Sequence, residues 1–283
     1  MKIVKKKIKS EEYFYLKHSF RKNGKVITKE IYLGKFIPKN IEEIKQNLEK
    51  ENKKLLYKKL EKIKDNFQKE WKKIPDYAKE KELQEISILF TYNTNAIEGS
   101  TITLPETRQI VKDKIAPNRS LFDIKETESH SKVFLGMLNK KEKITNDLLL
   151  KWHKNIFGET KKEISGKYRD YLVRVGNYIP PDWRDVKDLM NKLINFINNS
   201  NLNPVELSAL AHYRFESIHP FGDGNGRIGR LLMNHILWYN NYPIIIIEKK
   251  KRQAYYKALQ NGEEGFLKYF LKLYLRFHKK GIL

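Results

Sequence analysis

The 283-residue chain contains no cysteine, which excludes disulfide bonds and thiolate metal sites. No apolar run approaches the roughly 18 residues that a membrane-spanning helix requires. The first residues, Met-Lys-Ile-Val-Lys-Lys-Lys, lack the apolar stretch that follows the charges of a secretory signal. We therefore expect a cytoplasmic protein with no membrane contact.

Acidic residues are few relative to basic ones: 34 Asp and Glu stand against 57 Lys and Arg, for a formal net charge of +23. Residues 1–80 hold 24 of the basic and 12 of the acidic residues, about half of the surplus. Such a surplus suits nucleic acid or an acidic partner. It also suits a solvated surface, as in a heat-adapted protein. Because the lysines are interleaved with glutamates, the pattern favours the solvated surface, and nucleic-acid binding by residues 1–75 stays the alternative.

The first quarter of the chain shows two apolar patterns. Residues 1–36 alternate apolar and polar side chains around the turn pair Asn23-Gly24, which predicts a small β-hairpin or three-stranded sheet. Residues 40–73 carry apolar side chains at helical spacing, which predicts a long amphipathic helix with a stripe for packing or for a homodimer. Pro75 ends this segment.

From about residue 78 the pattern is helical, up to a last helix expected at 250–278. The interruption at Tyr171–Pro181 is rich in β-forming residues and ends in two prolines, which indicates a short hairpin. We therefore predict a mainly α fold, a helical bundle with a short β-hairpin, preceded by a small basic extension of β-hairpin and long helix. The expected divisions are residues 1–75, 78–102 and 103–283.

The stretch with the most chemistry is residues 219–230, His-Pro-Phe-Gly-Asp-Gly-Asn-Gly-Arg-Ile-Gly-Arg. Its glycines let backbone amides approach a ligand, and the helix that follows offers an N-terminus that favours an anion. Arg227 and Arg230 share a face of the first helical turn and can bind successive phosphates. Asp223 supplies a carboxylate of the kind that holds Mg²⁺ beside phosphate oxygens. His219 is a natural proton acceptor near neutral pH.

This stretch resembles the signature of the Fic family, H-P-F-x-[D/E]-G-N-[G/K]-R-x-x-R, and agrees with it at each defined position. The similarity extends to Ala211–Ile218, to Gly166–Arg169, and to Val175–Pro181, which is similar to the family's target-positioning flap. About residues 84–275 take part. The resemblance implies a Fic-type helical bundle and a nucleotidyltransferase, which moves AMP from ATP to a Ser, Thr or Tyr hydroxyl of an unidentified target protein and releases pyrophosphate.

The resemblance also implies a role for each matching position. His219 would deprotonate the target hydroxyl, and Asp223 would hold Mg²⁺ across the α- and β-phosphates of ATP. Arg227 would contact the β-phosphate region and Arg230 the γ-phosphate, while Phe221 would anchor the loop in the core. The other ATP-binding positions would be the loop residues Gly224, Asn225 and Gly226, the flap residues Val175, Gly176, Asn177 and Tyr178, and Tyr255.

A second motif, Thr94-Asn-Ala-Ile-Glu98-Gly99, lies at the end of a predicted helix. It resembles the inhibitory motif of Fic proteins, [S/T]-x-x-x-E-[G/N], in the class with an N-terminal inhibitory helix. The Glu98 carboxylate would pair with Arg230 and deny that guanidinium to the γ-phosphate. The resemblance implies autoinhibition, and it leaves self-modification and removal of AMP open as further activities.

Two alternatives stay open. The first is a nucleic-acid-binding regulator that uses the pocket as a nucleotide sensor. The second keeps the enzyme but transfers UMP, phosphocholine or phosphate in place of AMP.

Overall fold

The computed structural model describes residues 1–22 and 25–278. The chain forms two compact units, residues 1–59 and residues 60–283. This division falls inside a single long helix. The domains expected at residues 1–75, 78–102 and 103–283 stay predictions. Within the described ranges, none of the helices combines the length and the apolar character needed to cross a membrane. The cytoplasmic location stays a prediction.

The first unit contains an antiparallel sheet of three strands, β1 (Lys2–Ile8), β2 (Glu11–Lys22) and β3 (Lys25–Gly34), in that order. The strand pairing places Tyr15 opposite Tyr32 and Leu16 opposite Ile31. Leu16 is fully buried, and because successive side chains of a strand point to opposite faces, its face is the inner one. The predicted Asn23-Gly24 turn lies outside the described residues.

Helix α1 (Ile41–Lys73) confirms the long helix expected at 40–73. Its C-terminal part belongs to the second unit, where Leu60 is fully buried. The rings of Phe67 and Trp71 lie 5.9 Å and 5.7 Å from the ring of Trp238. This part of the apolar stripe is therefore a packing surface within the unit, and the homodimer stays a prediction.

The rest of the second unit is a helical bundle, which confirms the mainly α fold. Its helices are α2 (Asp76–Ile97), α3 (Leu104–Arg108), α4 (Leu121–Asn139), α5 (Asn146–Phe157), α6 (Val186–Asn199), α7 (Pro204–Ile218), α8 (Asn225–Tyr239), α9 (Arg252–Gln260) and α10 (Gly262–Phe277). Helix α8 is buried along most of its length. This helix therefore lies within the core of the bundle.

Two elements differ from the prediction. The last helix, expected at 250–278, is two helices, because Gly262 has a φ of 80°, outside the helical region. The expected hairpin in Tyr171–Pro181 is reduced to a tight turn, in which Val175 and Tyr178 exchange backbone hydrogen bonds of 2.9 Å and 3.0 Å.

Candidate active site

His219 lies at the junction between α7 and the glycine-rich loop. Its φ of 51° and ψ of 61° are left-handed, a conformation that is uncommon outside glycine. Arg169 holds this backbone in place: its guanidinium donates to the carbonyl oxygens of His219 (2.8 Å) and Pro181 (2.6 Å). Because Arg169 is itself buried, the backbone of His219 is held in place by a side chain from the core.

The imidazole of His219 is suited to accept a proton. Burial is the main reason that its pKa lies below the ordinary value, although a hydrogen bond to the backbone of Glu216 opposes this shift. Arg169 lowers the pKa further, whereas the carboxylates of Glu98 and Asp223 raise it. The ring is therefore neutral near pH 7, as a general base must be.

The loop after His219 is closed by a reciprocal pair of hydrogen bonds. The Phe221 N–H donates to Asn225 Oδ1 at 2.9 Å, and Asn225 Nδ2 donates to the Phe221 carbonyl at 2.8 Å. Phe221 is fully buried, as expected of an anchor, and stacks on His153 at 4.0 Å. The Asn225 side chain thus holds the loop in shape, and the backbone amides at the start of α8 are left for an anion.

Gly224 and Gly226 are needed for two different reasons. Gly224 has a φ of 80°, and a Cβ there would lie 2.5 Å from the ring of Phe157. At Gly226 a Cβ would lie 2.2 Å from Glu98 Oε1. The second glycine therefore leaves space for a carboxylate that comes from α2.

Arg230 is bound by the C-terminal end of α2. Its Nε donates to Thr94 Oγ1 at 2.5 Å, and its Nη2 donates to the Thr94 carbonyl at 3.1 Å and to Glu98 Oε1 at 2.6 Å. The Arg230 side chain is only 2% exposed, whereas that of Glu98 is 30% exposed. The contact expected between the Thr94–Glu98 motif and Arg230 is present.

Two further groups lie behind Arg230. Tyr255 was expected to border the nucleotide, but it is buried, with its hydroxyl 2.7 Å from His212 Nε2 and 3.5 Å from Arg230 Nη1. Its hydroxyl therefore faces His212 and Arg230, and a contact with the nucleotide stays a prediction. Glu216 is 14% exposed, and burial raises the pKa of its carboxyl to about 8; Arg230 opposes this shift and Glu98 adds to it.

Arg227 has a different set of partners. Its guanidinium pairs with Glu126 of α4 and lies 4.3 Å from the centre of the Phe157 ring. Lys161 joins this pair, with its Nζ 3.0 Å from Glu126 Oε1 and 2.6 Å from Asp223 Oδ2. Burial alone would raise the pKa of Glu126, but Arg227 and Lys161 outweigh it and hold that pKa below its ordinary value.

Asp223 projects from the loop with half of its side chain exposed. Burial would raise its pKa, but Lys161 and Arg227 hold it below the ordinary value. Its backbone carbonyl accepts from His153 Nε2 at 3.0 Å, because His153 Nδ1 is occupied by the N–H of Gly166 at 2.9 Å. Asp223 is thus an ionised carboxylate on a supported backbone, with a cation already beside it.

The flap residues expected near the ligand form the exposed turn Val175–Tyr178, with Gly176 and Asn177 at its tip. Gly176 has a φ of 58°. The Tyr178 hydroxyl donates to the Ser217 carbonyl at 2.8 Å. The turn is therefore tied to α7, two residues before His219.

Sequence reasoning did not single out three residues that shape this site: Glu126, His153 and Lys161. Glu126 and Lys161 lie in charged stretches of sequence that read as solvated surface. His153 carried a usable signal, because it is a polar residue on the apolar face of α5 and is fully buried there.

Comparison with known proteins agrees with this geometry. Residues 143–237 match the model of the Fic/DOC family. Over 211 residues the chain is 34% identical to a protein adenylyltransferase Fic from Nematostella vectensis, which covers 72% of this chain and 49% of the relative. The chain therefore spans about half the length of that relative.

Solved structures show the same fold. A Fic domain containing signaling protein from Bacteroides thetaiotaomicron is similar with a TM-score of 0.66 and 25% identity, over 81% of this chain and 95% of that one. Fic-1 from C. elegans is similar with a TM-score of 0.69 and 24% identity, over 83% of this chain and 73% of that one. Residues 143–237 therefore form a domain of the Fic/DOC family.

Proposed function

We propose that this chain is a protein adenylyltransferase, which transfers AMP from ATP to a Ser, Thr or Tyr hydroxyl of a target protein. The observation that carries this proposal is a neutral, fixed His219 beside a helix N-terminus that presents two buried arginines. His219 accepts the proton of the hydroxyl, whose oxygen attacks the α-phosphorus. The bond from that phosphorus to the oxygen bridging to the β-phosphate breaks, and pyrophosphate leaves. The name of the Nematostella vectensis relative supports the same reaction.

The two arginines would bind the phosphates that leave. Arg227 would contact the β-phosphate region and Arg230 the γ-phosphate, with Gly224 and the amides of Asn225 and Gly226 around the α-phosphate. The amide of Gly224 itself donates to Asp223 Oδ1 at 2.6 Å. Glu98 would take the position at Arg230 that a γ-phosphate needs, because Arg230 Nη2 lies 2.6 Å from its carboxylate. Glu98 is therefore the proposed brake, and the resting enzyme is nearly silent.

The residues around Asp223 fit Mg²⁺. The carboxylate is exposed, ionised and contacted by the ammonium of Lys161, so a cation is stabilised at this point. When bound, Mg²⁺ would offset the negative charge of the phosphates. Asp223 would hold it, and Lys161 would have to give up its 2.6 Å contact with Asp223 to make room.

The proposal is tested with the Glu98→Gly variant, incubated with Mg²⁺ and [α-³²P]ATP alone and with a lysate. We expect label on the chain or on a lysate protein and release of pyrophosphate, both far above the unsubstituted protein. Intact-mass analysis should find one adenylate added. If the variant transfers no label to any protein, the proposed activity is wrong.

Two controls assign the roles. The double variant Glu98→Gly, His219→Ala should lose about 10²–10⁴-fold in transfer, the range for a missing general base, while it still binds ATP. If the double variant still transferred AMP at the rate of Glu98→Gly, His219 would not be the general base. Competition by unlabelled UTP or CDP-choline, if stronger than by ATP, would show that another group is transferred.

A further inference from the structure

The first unit carries a cluster of aromatic rings on one face of its sheet. Tyr13 and Tyr15 are two residues apart on β2, so they share a face, and Tyr15 is paired with Tyr32 of β3. The Tyr32 ring centre lies 5.9 Å from that of Tyr13 and 5.4 Å from that of Tyr15. We call these three residues the tyrosine face.

This face is the outer one of the sheet. Leu16, which follows Tyr15 and points the opposite way, is fully buried, whereas Tyr32 is 57% exposed. Tyr13 and Tyr15 are half-buried, in part by Tyr32 itself. The tyrosine face therefore presents aromatic surface outside the core. Packing in the core does not explain why these rings are present.

The sequence around the tyrosine face is strongly basic. Residues 1–39 contain 12 Lys and Arg and three Asp and Glu, a surplus of nine positive charges. All three carboxylates are already paired with lysines: Glu11 with Lys35, Glu12 with Lys5 and Glu30 with Lys6. The Nζ of Lys6 also lies 5.0 Å from the centre of the Tyr15 ring. Cations and aromatic rings thus occupy the same face.

We infer that the tyrosine face binds single-stranded nucleic acid. Exposed rings stack on bases of any sequence, and lysines beside them neutralise the phosphates. A duplex hides the faces of its bases in its stack, so it can use the charge but not the rings. A second copy of the chain is disfavoured as the occupant, because like charges would face each other. An acidic peptide is disfavoured because its carboxylates would pair with the lysines but would not stack on the rings. This inference rests on the first unit and is independent of the proposed transferase activity.

The test uses the full chain and fluorescence anisotropy with labelled oligo(dT) and oligo(U), which distinguish DNA from RNA as the source of the strand. We expect the logarithm of the binding constant to fall linearly with the logarithm of the salt concentration. Tyr32→Ala should weaken it by about 5- to 100-fold, the effect of losing one stacked base. Tyr32→Phe should keep it, because the ring remains.

The matched control is Tyr77→Ala, a tyrosine of α2 that is 69% exposed and lies outside the sheet; it should bind like the unsubstituted protein. Three results would overturn the inference: no binding at low salt, equal binding by Tyr32→Ala and Tyr77→Ala, or equal competition by duplex DNA or poly-glutamate. The last result would reduce the surface to a charge effect. Circular dichroism of Tyr32→Phe and Tyr32→Ala checks that the sheet is retained.

Discussion

The surroundings of Arg230 and of Arg227, both near the start of α8, differ in how their carboxyl groups are ionised. We call these surroundings the Arg230 end and the Arg227 end. At the Arg230 end the partner is Glu98, whose side chain is 30% exposed. A second carboxyl, Glu216, lies nearby with its pKa raised to about 8 by burial. It is therefore protonated near neutral pH, and Glu98 is the ion-pair partner of Arg230.

At the Arg227 end both carboxyl groups have lowered pKa values, and each contacts a cation. Glu126 is 10% exposed and contacts Arg227, Lys161 and the Thr160 hydroxyl. Asp223 contacts Lys161. Two carboxylates thus meet two cations, and Glu126 is held from three sides. We therefore propose that Glu98, which is 30% exposed, is the carboxylate that leaves its arginine, whereas Glu126, which is 10% exposed, keeps Arg227 in place.

The largest effect is expected from removing each carboxylate in turn. Glu98→Ala should raise the rate of pyrophosphate release by roughly 10- to 100-fold. The reason is that Arg230 could then donate a charge-assisted hydrogen bond, worth about 1.5–3 kcal/mol, to the γ-phosphate. Glu126→Ala should lower it, because Arg227 loses the contact that orients it. Steady-state kinetics of pyrophosphate release with both variants measures this.

An increase in both variants would contradict the proposed difference between Glu98 and Glu126, since Glu126 would then be a second brake. Urea unfolding followed by tryptophan fluorescence is the check on folding, because all four tryptophans lie in residues 60–283. Breaking a buried ion pair costs about 3–5 kcal/mol, so the Glu126→Ala sample must be assayed well below its unfolding midpoint.

The sequence predicted the Arg230 end better than the Arg227 end. The pairing of Thr94 and Glu98 with Arg230 was expected from two motifs, and the contact is present. Motifs carry this information because both partners have fixed places in a known pattern. Glu126 and Lys161 belong to no motif, and their meeting at Arg227 depends on how α4 and the segment after α5 pack.

Tyr255 shows the same limit. Its place at the start of α9 was expected from the resemblance, but whether its ring faces a ligand or Arg230 depends on the packing of α7 and α9 around α8. The break at Gly262 was missed because a single glycine is tolerated within a helix, and only its positive φ, 80°, makes it an end.

The second prediction concerns the protonation of Glu216. A carboxyl whose folded-state pKa, about 8, lies above its unfolded value of 4.5 stabilises the fold below pH 4.5 and loses that contribution as pH rises to 8. Stability should therefore fall with pH between about 5 and 8, by roughly 1 kcal/mol per pH unit at the steepest. In Glu216→Gln this part of the slope should vanish.

The measurement is the free energy of unfolding in urea from pH 5 to pH 8 for both proteins. Buried histidines such as His212, whose pKa is lowered to about 3, contribute a slope of opposite sign below about pH 6.5, but they are common to both proteins and cancel in the difference. Parallel pH profiles would show that Glu216 is ionised at neutral pH, and the two ends would then not differ.

The smallest effect is expected at Lys161, which occupies the Asp223 carboxylate that Mg²⁺ would use. The two side chains are 30% and 51% exposed, so their ion pair is worth only a fraction of a kcal/mol to about 1 kcal/mol. Lys161→Met should therefore lower the Mg²⁺ concentration for half-maximal ATP binding by roughly two- to fivefold. Lys162→Met, at the exposed neighbouring position, should leave it unchanged. Calorimetric titration of ATP at stepped Mg²⁺ concentrations measures the shift without relying on turnover. A higher Mg²⁺ requirement in Lys161→Met would show that the ammonium helps to bind the phosphates. Lys161 would then stay beside Asp223 when ATP binds, and Mg²⁺ would not replace it there.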